Sequence, residues 1–316
     1  MSEHPIFLAI AGPTCSGKTE LSLGLAERLD GEIISMDSRQ VYRGMDVGTD
    51  KVSEPDRSRV PHFGLDLLDP DETYSAGQFA RDAREWIGEI RDRSRLPILA
   101  GGTGFFLRAV QEPVFHEPSL DPSRRQALKS LLAQHDGATL ARWVRVLDPA
   151  RADLAVAGGP QRMARTLEVA LLTGRPLSWW HQHAPAEAPA IPGFVVLLEL
   201  PRPLLYERIN ERVARMVERG LVEEVEALLR KGYSRTDPGM TGTGYREIAA
   251  YLGGECTLDD ALEQVRRATR RYARRQLTWF RNQVRDPLTV DADLPVPELV
   301  EAVASAWQSV QAGETP

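Results

Sequence analysis

A chain of 316 residues, 42% hydrophobic and 27% charged, has a folded protein's composition and enough length for one large core plus a smaller inserted domain, which excludes wholesale disorder. Its two cysteines, Cys15 and Cys256, are too few for a disulfide framework or a cysteine metal cluster and suit a reducing compartment. The net charge of −6 disfavours nucleic acid as an average, but the arginines are unevenly spread.

The start, Met1-Ser2-Glu3-His4-Pro5, lacks a basic region and does not read as a signal peptide. No apolar run approaches membrane-spanning length; Phe194 to Leu198 stops at Glu199. A cytoplasmic protein that does not enter a membrane is expected.

Ile6 to Ala11 reads as a strand, followed by a glycine loop and a helix over Glu20 to Leu29. Glu32 to Met36, Leu96 to Ala100 and Phe194 to Leu200 are further buried-strand candidates. Short apolar strands alternating with helices predict an α/β fold, a parallel sheet covered by helices on both faces. Between residues 113 and 192 strand candidates vanish, and Ser123 to His135, Thr139 to Leu147 and Gln161 to Thr173 have helical spacing. This predicts an all-helical insertion, residues 113–192, within a core made of 1–112 and 193–316. Beyond Pro203, helices are expected over Leu204 to Arg230, Tyr245 to Tyr251 and Thr257 to about Arg281.

Gly12-Pro13-Thr14-Cys15-Ser16-Gly17-Lys18-Thr19 fits G-x-x-x-x-G-K-[ST], with a strand before it and a helix after it. Such a loop turns backbone N–H groups inward, and the helix N-terminus adds a field that favours phosphate oxygens. Lys18 supplies a mobile charge, and the Thr19 hydroxyl could join a Mg²⁺ shell. The loop identifies a polyphosphate ligand but not its organic part, so NTPases and kinases stand beside any enzyme that uses a diphosphate ester.

Asp37 closes the second strand, at the end of the sheet where ligands bind. It could be a structural cap, a metal-binding acid of the kinase type, or a general base. The third strand ends in Gly101-Gly102-Thr103-Gly104 without a carboxylate, which gives nucleotide hydrolysis little support.

Arg162 and Arg165 lie one helical turn apart, with a solvated face as the plain alternative; Arg208, Arg212, Arg215 and Arg219 recur along another helix, where pairing with Glu207, Glu211 and Glu218 is the plain alternative. From Arg266 to Arg285 eight arginines gather without an acid among them, together with Tyr272, Trp279 and Phe280. That mixture suits phosphate contact and base stacking, although Tyr272, Gln276 and Trp279 also have the spacing of a core-facing stripe. His62, His116, His181 and His183 show no metal-site spacing.

These motifs, in this order, resemble the tRNA dimethylallyltransferase (isopentenyltransferase) family. The resemblance rests on Gly12 to Thr19, the block Ser35 to Thr49, Gly101 to Gly104, Pro160-Gln161-Arg162, Gly244-Tyr245-Arg246-Glu247 and Thr269 to Phe280. It implies a P-loop NTPase-like core and transfer of a dimethylallyl group from dimethylallyl diphosphate to N6 of the adenine 3′ of the anticodon, in tRNAs reading codons that begin with U. By matching position, Asp37, Arg212 and Thr19 would be catalytic, with Asp37 as base. Gly12, Pro13, Thr14, Cys15, Ser16, Gly17, Lys18 and Thr19 would hold the diphosphate, with Mg²⁺ assisting through Thr19. Asp37, Ser38, Arg39, Gln40, Thr103, Gln161, Arg162, Met163, Ala164, Arg165, Tyr245, Arg271 and Arg274 would meet the tRNA anticodon stem-loop. The resemblance also suggests a monomer. The chain departs from the family pattern at Cys15 (usually Ala), Phe63 (His), Phe105-Phe106 (Leu-Tyr), Thr243 (an apolar residue) and Pro287-Leu288 (the region of a frequent Trp).

Overall fold

Residues Phe7–Ala11 form strand β1, every position of which is buried. Successive side chains point to opposite faces, so a wholly apolar strand must be covered on both sides. The computed structural model describes residues 4–115, 118, 120–184 and 186–314. After β1 come helix α1 (Lys18–Arg28), β2 (Gly31–Ser35), α2 (Glu54–Arg59), β3 (His62–Phe63), α3 (Ala76–Asp92), β4 (Leu96–Gly101) and α4 (Gly104–Gln111). The chain then runs through β5 (Val114–Phe115), α5 (Pro122–Leu132), α6 (Gly137–Leu147), α7 (Ala152–Ala157), α8 (Pro160–Thr173), α9 (Leu177–His183) and β6 (Ala186–Ala188). It closes with β7 (Gly193–Glu199), α10 (Arg202–Glu218), α11 (Leu221–Arg230), α12 (Tyr245–Leu252), α13 (Leu258–Gln283), β8 (Leu288–Asp291) and α14 (Val296–Gln311).

Six strands make one parallel sheet in the order β3-β2-β4-β1-β7-β8. Leu8 and Ile10 face one apolar layer with Leu21 and Leu25 of α1, Leu205 and Ile209 of α10, and Val303 and Trp307 of α14. Phe7, Ala9 and Ala11 face the other, with Phe79 and Ile87 of α3, Leu107 of α4 and Phe280 of α13. The α/β expectation is met, and β1 lies inside the sheet where its loop is flanked by neighbouring strand ends.

The described residues divide into two compact units, 1–112 with 190–316, and 113–189. The second holds its own core of Leu132, Leu140, Val144, Met163 and Leu167. It is not purely helical, as the sequence suggested: β5 and β6 pair antiparallel at its two ends. Strands of two and three residues are too short to show alternation, which is why the pattern missed them. The expected helix Leu204 to Arg230 is two helices, because Gly220 takes a left-handed φ of 93° that ends α10 and starts α11. Among the described residues no helix is long and apolar enough to cross a membrane. His116 lies outside the described residues.

Candidate active site

The loop after β1 has the backbone its motif requires. Gly17 stands at φ 83° immediately before α1, a conformation that costs an L-residue, and Cys15 bears φ 64°. Ser16 is 1% exposed, and its Oγ has no hydrogen-bond partner among the described residues. It lies inside the loop, 3.1 Å from where a Cβ on Gly12 would stand. A buried hydroxyl without a partner is an unmet cost that an anionic ligand's oxygen would remove. Lys18 folds back over the loop, its Nζ donating to the Pro13 carbonyl at 2.5 Å. Burial pushes its pKa down to about 8; the charges of Cys15 and Asp37 oppose the shift and Arg212 adds to it.

Arg212 reaches the same loop from α10. Its guanidinium donates to the Thr14 hydroxyl and lies 3.7 Å from Cys15 Sγ, so the cysteine side chain leans on the cation beside the loop. Asp50 is ion-paired at 3.4 Å to its Nε, which makes no hydrogen bond. The arginine stripe of α10 thus divides. Arg208 pairs with Asp293 and Arg219 with Asp50, while Arg212 turns into the site.

Asp37 follows β2 and buried Met36, half-exposed. Its Oδ1 accepts the Arg39 N–H at 2.8 Å, which aims the carboxylate without neutralising it. Strand β4 lies between β2 and β1. A Cβ on Gly101 would stand 2.1 Å from the Met36 carbonyl oxygen, so the chain leaving β2 passes directly against the end of β4. Thr103 N–H donates to that carbonyl at 3.2 Å, and the Thr103 hydroxyl accepts the Ser38 N–H at 3.2 Å. The glycine turn therefore serves as the seat of the Asp37 segment.

Helix α13 lays one face over this crevice. Burial, then the charge of Asp37, pushes the Tyr272 hydroxyl up to about 12, partly offset by its hydrogen bond with Thr103. Gln276 is buried between the two loops, and Trp279 packs with Phe105 at 5.7 Å. Around the rest of the helix the arginines separate. Arg266 and Arg267 pair with Glu263, Arg270 bonds Asn210, and Arg281 bonds Glu199. Arg271, Arg274 and Arg275 instead line an open groove of about 590 Å³ with Thr278, Trp279 and Asn282.

The family model for IPP transferase matches residues 40–283, and one for isopentenyl transferase matches residues 5–59. A tRNA dimethylallyltransferase 2 of Geotalea uraniireducens is 44% identical over 273 residues, 86% of this chain and 88% of that protein. A tRNA dimethylallyltransferase of Carboxydothermus hydrogenoformans is 42% identical, covering 91% of both. The chain belongs to the tRNA dimethylallyltransferase family. The crystal structure of a tRNA isopentenylpyrophosphate transferase from Bacillus halodurans superposes with a TM-score of 0.70 at 35% identity, covering 98% of this chain and 99% of that one.

The residues that the sequence resemblance assigns to tRNA contact are placed unequally. Ser38 and Thr103 are tied to one another beside Asp37. Arg39 is held by the Pro238 carbonyl at 2.5 Å, and Gln40 bonds Ser35 at 2.8 Å and the carbonyls of Thr49 and Asp50. Tyr245 does not present its ring: it is 1% exposed, with its hydroxyl donating to Glu224 at 2.6 Å. An aromatic residue opening a helix in a glycine turn packs inward here because the adjacent helix offers both a core and an acceptor. On α8, Met163 likewise faces the core of its unit and Ala164 packs against it, so Gln161, Arg162 and Arg165 are the residues left toward the surface. Arg162 donates to the Leu154 carbonyl at 3.4 Å, and Arg165 pairs with Glu168 at 2.5 Å.

Glu224 escaped the sequence reading altogether. It accepts from the backbone N–H groups of Asp46, Val47 and Gly48 at 2.8, 2.7 and 3.0 Å, fixing the loop beside Arg212. A lone glutamate on an amphipathic helix carries no signal of that task.

Proposed function

We propose that this chain transfers a dimethylallyl group from dimethylallyl diphosphate to N6 of the adenine 3′ of the anticodon, in tRNAs reading codons that begin with U. The observation that carries this reading is the pairing of a phosphate loop holding two cations, Lys18 and Arg212, with a carboxylate two strands away in the sheet, across β4. Strands lie roughly 4.8 Å apart, so β1 and β2 ends stand about 10 Å from each other, room for a diphosphate, its short prenyl tail and an incoming amine.

In this scheme the loop amides, Ser16, Lys18 and Arg212 hold the diphosphate. The N6 lone pair attacks C1 of the dimethylallyl group, the C1–O bond breaks, and its electron pair leaves with the diphosphate. Charge grows on the leaving group as this happens, so Lys18 and Arg212 bind the transition state more strongly than the ground state. Asp37 takes the N6 proton. An adenine amine is a weak nucleophile because its lone pair is delocalised, so a positioned base is worth about 10²–10⁴-fold. The target base must leave its stack, which costs least in an unpaired anticodon loop.

Among the described residues no group of three or more His, Cys, Asp or Glu could hold a metal ion by itself. Thr19, exposed at the start of α1, fits a Mg²⁺ ion that takes most of its ligands from the substrate's own phosphate oxygens and water. When bound, Mg²⁺ would neutralise charge on the departing diphosphate.

The test incubates the protein with Mg²⁺, unmodified tRNA and either dimethylallyl diphosphate or ATP, followed by nucleoside mass analysis. A five-carbon addition to adenosine with the prenyl diphosphate alone is expected. ATP consumption without that product would overturn the reading.

A further inference from the structure

We propose that Gln276 is a positioning residue that holds the diphosphate loop and the Asp37 segment at a fixed separation, keeping leaving group and base in register. The proposal rests on the roles just assigned to that loop and to Asp37. Gln276 sits on the crevice face of α13, 6% exposed. Its Oε1 accepts the Thr14 N–H at 2.9 Å, and its Nε2 donates to the Gly102 carbonyl at 2.9 Å. The two partners fix the orientation of the amide, since one can only donate and the other only accept.

Each end of this clasp touches a part of the site. Thr14 is also the residue whose hydroxyl receives Arg212. Gly102 adjoins Thr103, which bonds the Met36 carbonyl and the Ser38 N–H on either side of Asp37. A chain of single contacts thus runs from Arg212 through Thr14, Gln276, Gly102 and Thr103 to Asp37. Strand pairing alone leaves these loops free beyond their strand ends, whereas the amide bridges them where the chemistry occurs. The fit has no slack: a Cβ on Gly102 would stand 2.0 Å from Nε2.

Glutamate has the same shape but no donor for Gly102, and methionine fills the volume with neither bond. In Gln276→Met and Gln276→Glu, kcat should fall about 10–100-fold, the cost of a small misplacement of reacting groups. The KM for tRNA should stay within about twofold, because the tRNA surface is not rebuilt. Gly102→Ala, which displaces the same amide, should give the same split and carries the test if the Gln276 variants do not fold. Wild-type kcat in folded Gln276→Met would overturn the proposal. So would a kcat loss that vanishes on cooling to a temperature where melting curves show the variant fully folded. Asp37→Ala, assayed in parallel, separates the two readings. If it retains turnover, the base assignment fails; if it is inactive while Gln276→Met is not, only the positioning role fails.

Discussion

Lys18 is a cation held in the phosphate loop against the cost of burial. Burial lowers its pKa to about 8, so it is a cation at neutral pH and loses its proton as pH rises through that value. A bound diphosphate favours the charged form, and proton binding and diphosphate binding reinforce each other. The KM for dimethylallyl diphosphate should therefore be flat below pH 8 and climb above it, with the tRNA KM unaffected. Initial rates across pH 6.5–9.5 with each substrate varied in turn would check this, and a diphosphate KM level to pH 9.5 would remove Lys18 from the contact. Replacing Asp37 by Ala should leave tRNA binding nearly unchanged but cut kcat by roughly 10²-fold or more; single-turnover assays with tRNA binding measured separately would show it. Both residues were legible in the sequence because their motifs fix local backbone: a glycine loop before a helix, an acid after a strand. Tyr245 and Met163, which the resemblance assigns to tRNA contact, are buried instead, because a motif marks a position in the chain and not the direction of a side chain. Their packing partners lie on other turns and other helices.

At the scale of elements, the four long inner strands were readable as apolar runs. The edge strands β3 and β8 were not: two and four half-exposed or exposed residues carry no such run. Helices α3 and α14 also have no counterpart in the sequence reading, although each buries one stripe against the sheet. Long-range ties were illegible in principle, since hydrogen bonds such as Gln276 to Thr14 join residues 262 positions apart. Glu224 is the strongest case. One carboxylate on α11 takes three successive backbone N–H groups and the Tyr245 hydroxyl. Glu224→Ala would leave four donors without their acceptor, only some of which water can reach. A loss of about 3 kcal/mol is expected, measured by urea denaturation, with Glu224→Gln losing less because it keeps an acceptor oxygen. An alanine variant as stable as wild type would show that the loop finds other partners.

At the scale of the whole molecule, the puzzle is how a chain of net charge −6 meets a polyanion. Repulsion from the average charge is screened beyond about 8–10 Å at physiological salt, so what matters is which cations remain unpaired at the contact. The fold answers by pairing some arginines of α13 and exposing others. Arg266, Arg267 and Arg281 are tied to Glu263 and Glu199, while Arg271, Arg274 and Arg275 border the groove beside Trp279. If that groove takes the tRNA backbone, each arginine that meets a phosphate releases roughly one condensed counterion. Arg274→Ala should then weaken tRNA binding and flatten the plot of log affinity against log salt by about one unit of slope. The KM for dimethylallyl diphosphate should not change, because Lys18 and Arg212 contact the phosphate loop and Arg274 does not. Replacing Arg267, which is already paired on the same helix, should alter the slope far less. Filter-binding titrations from 50 to 300 mM salt would compare the two. Equal slopes for wild type and Arg274→Ala would move the tRNA surface off this groove, leaving the arginine cluster as a solvated helix face.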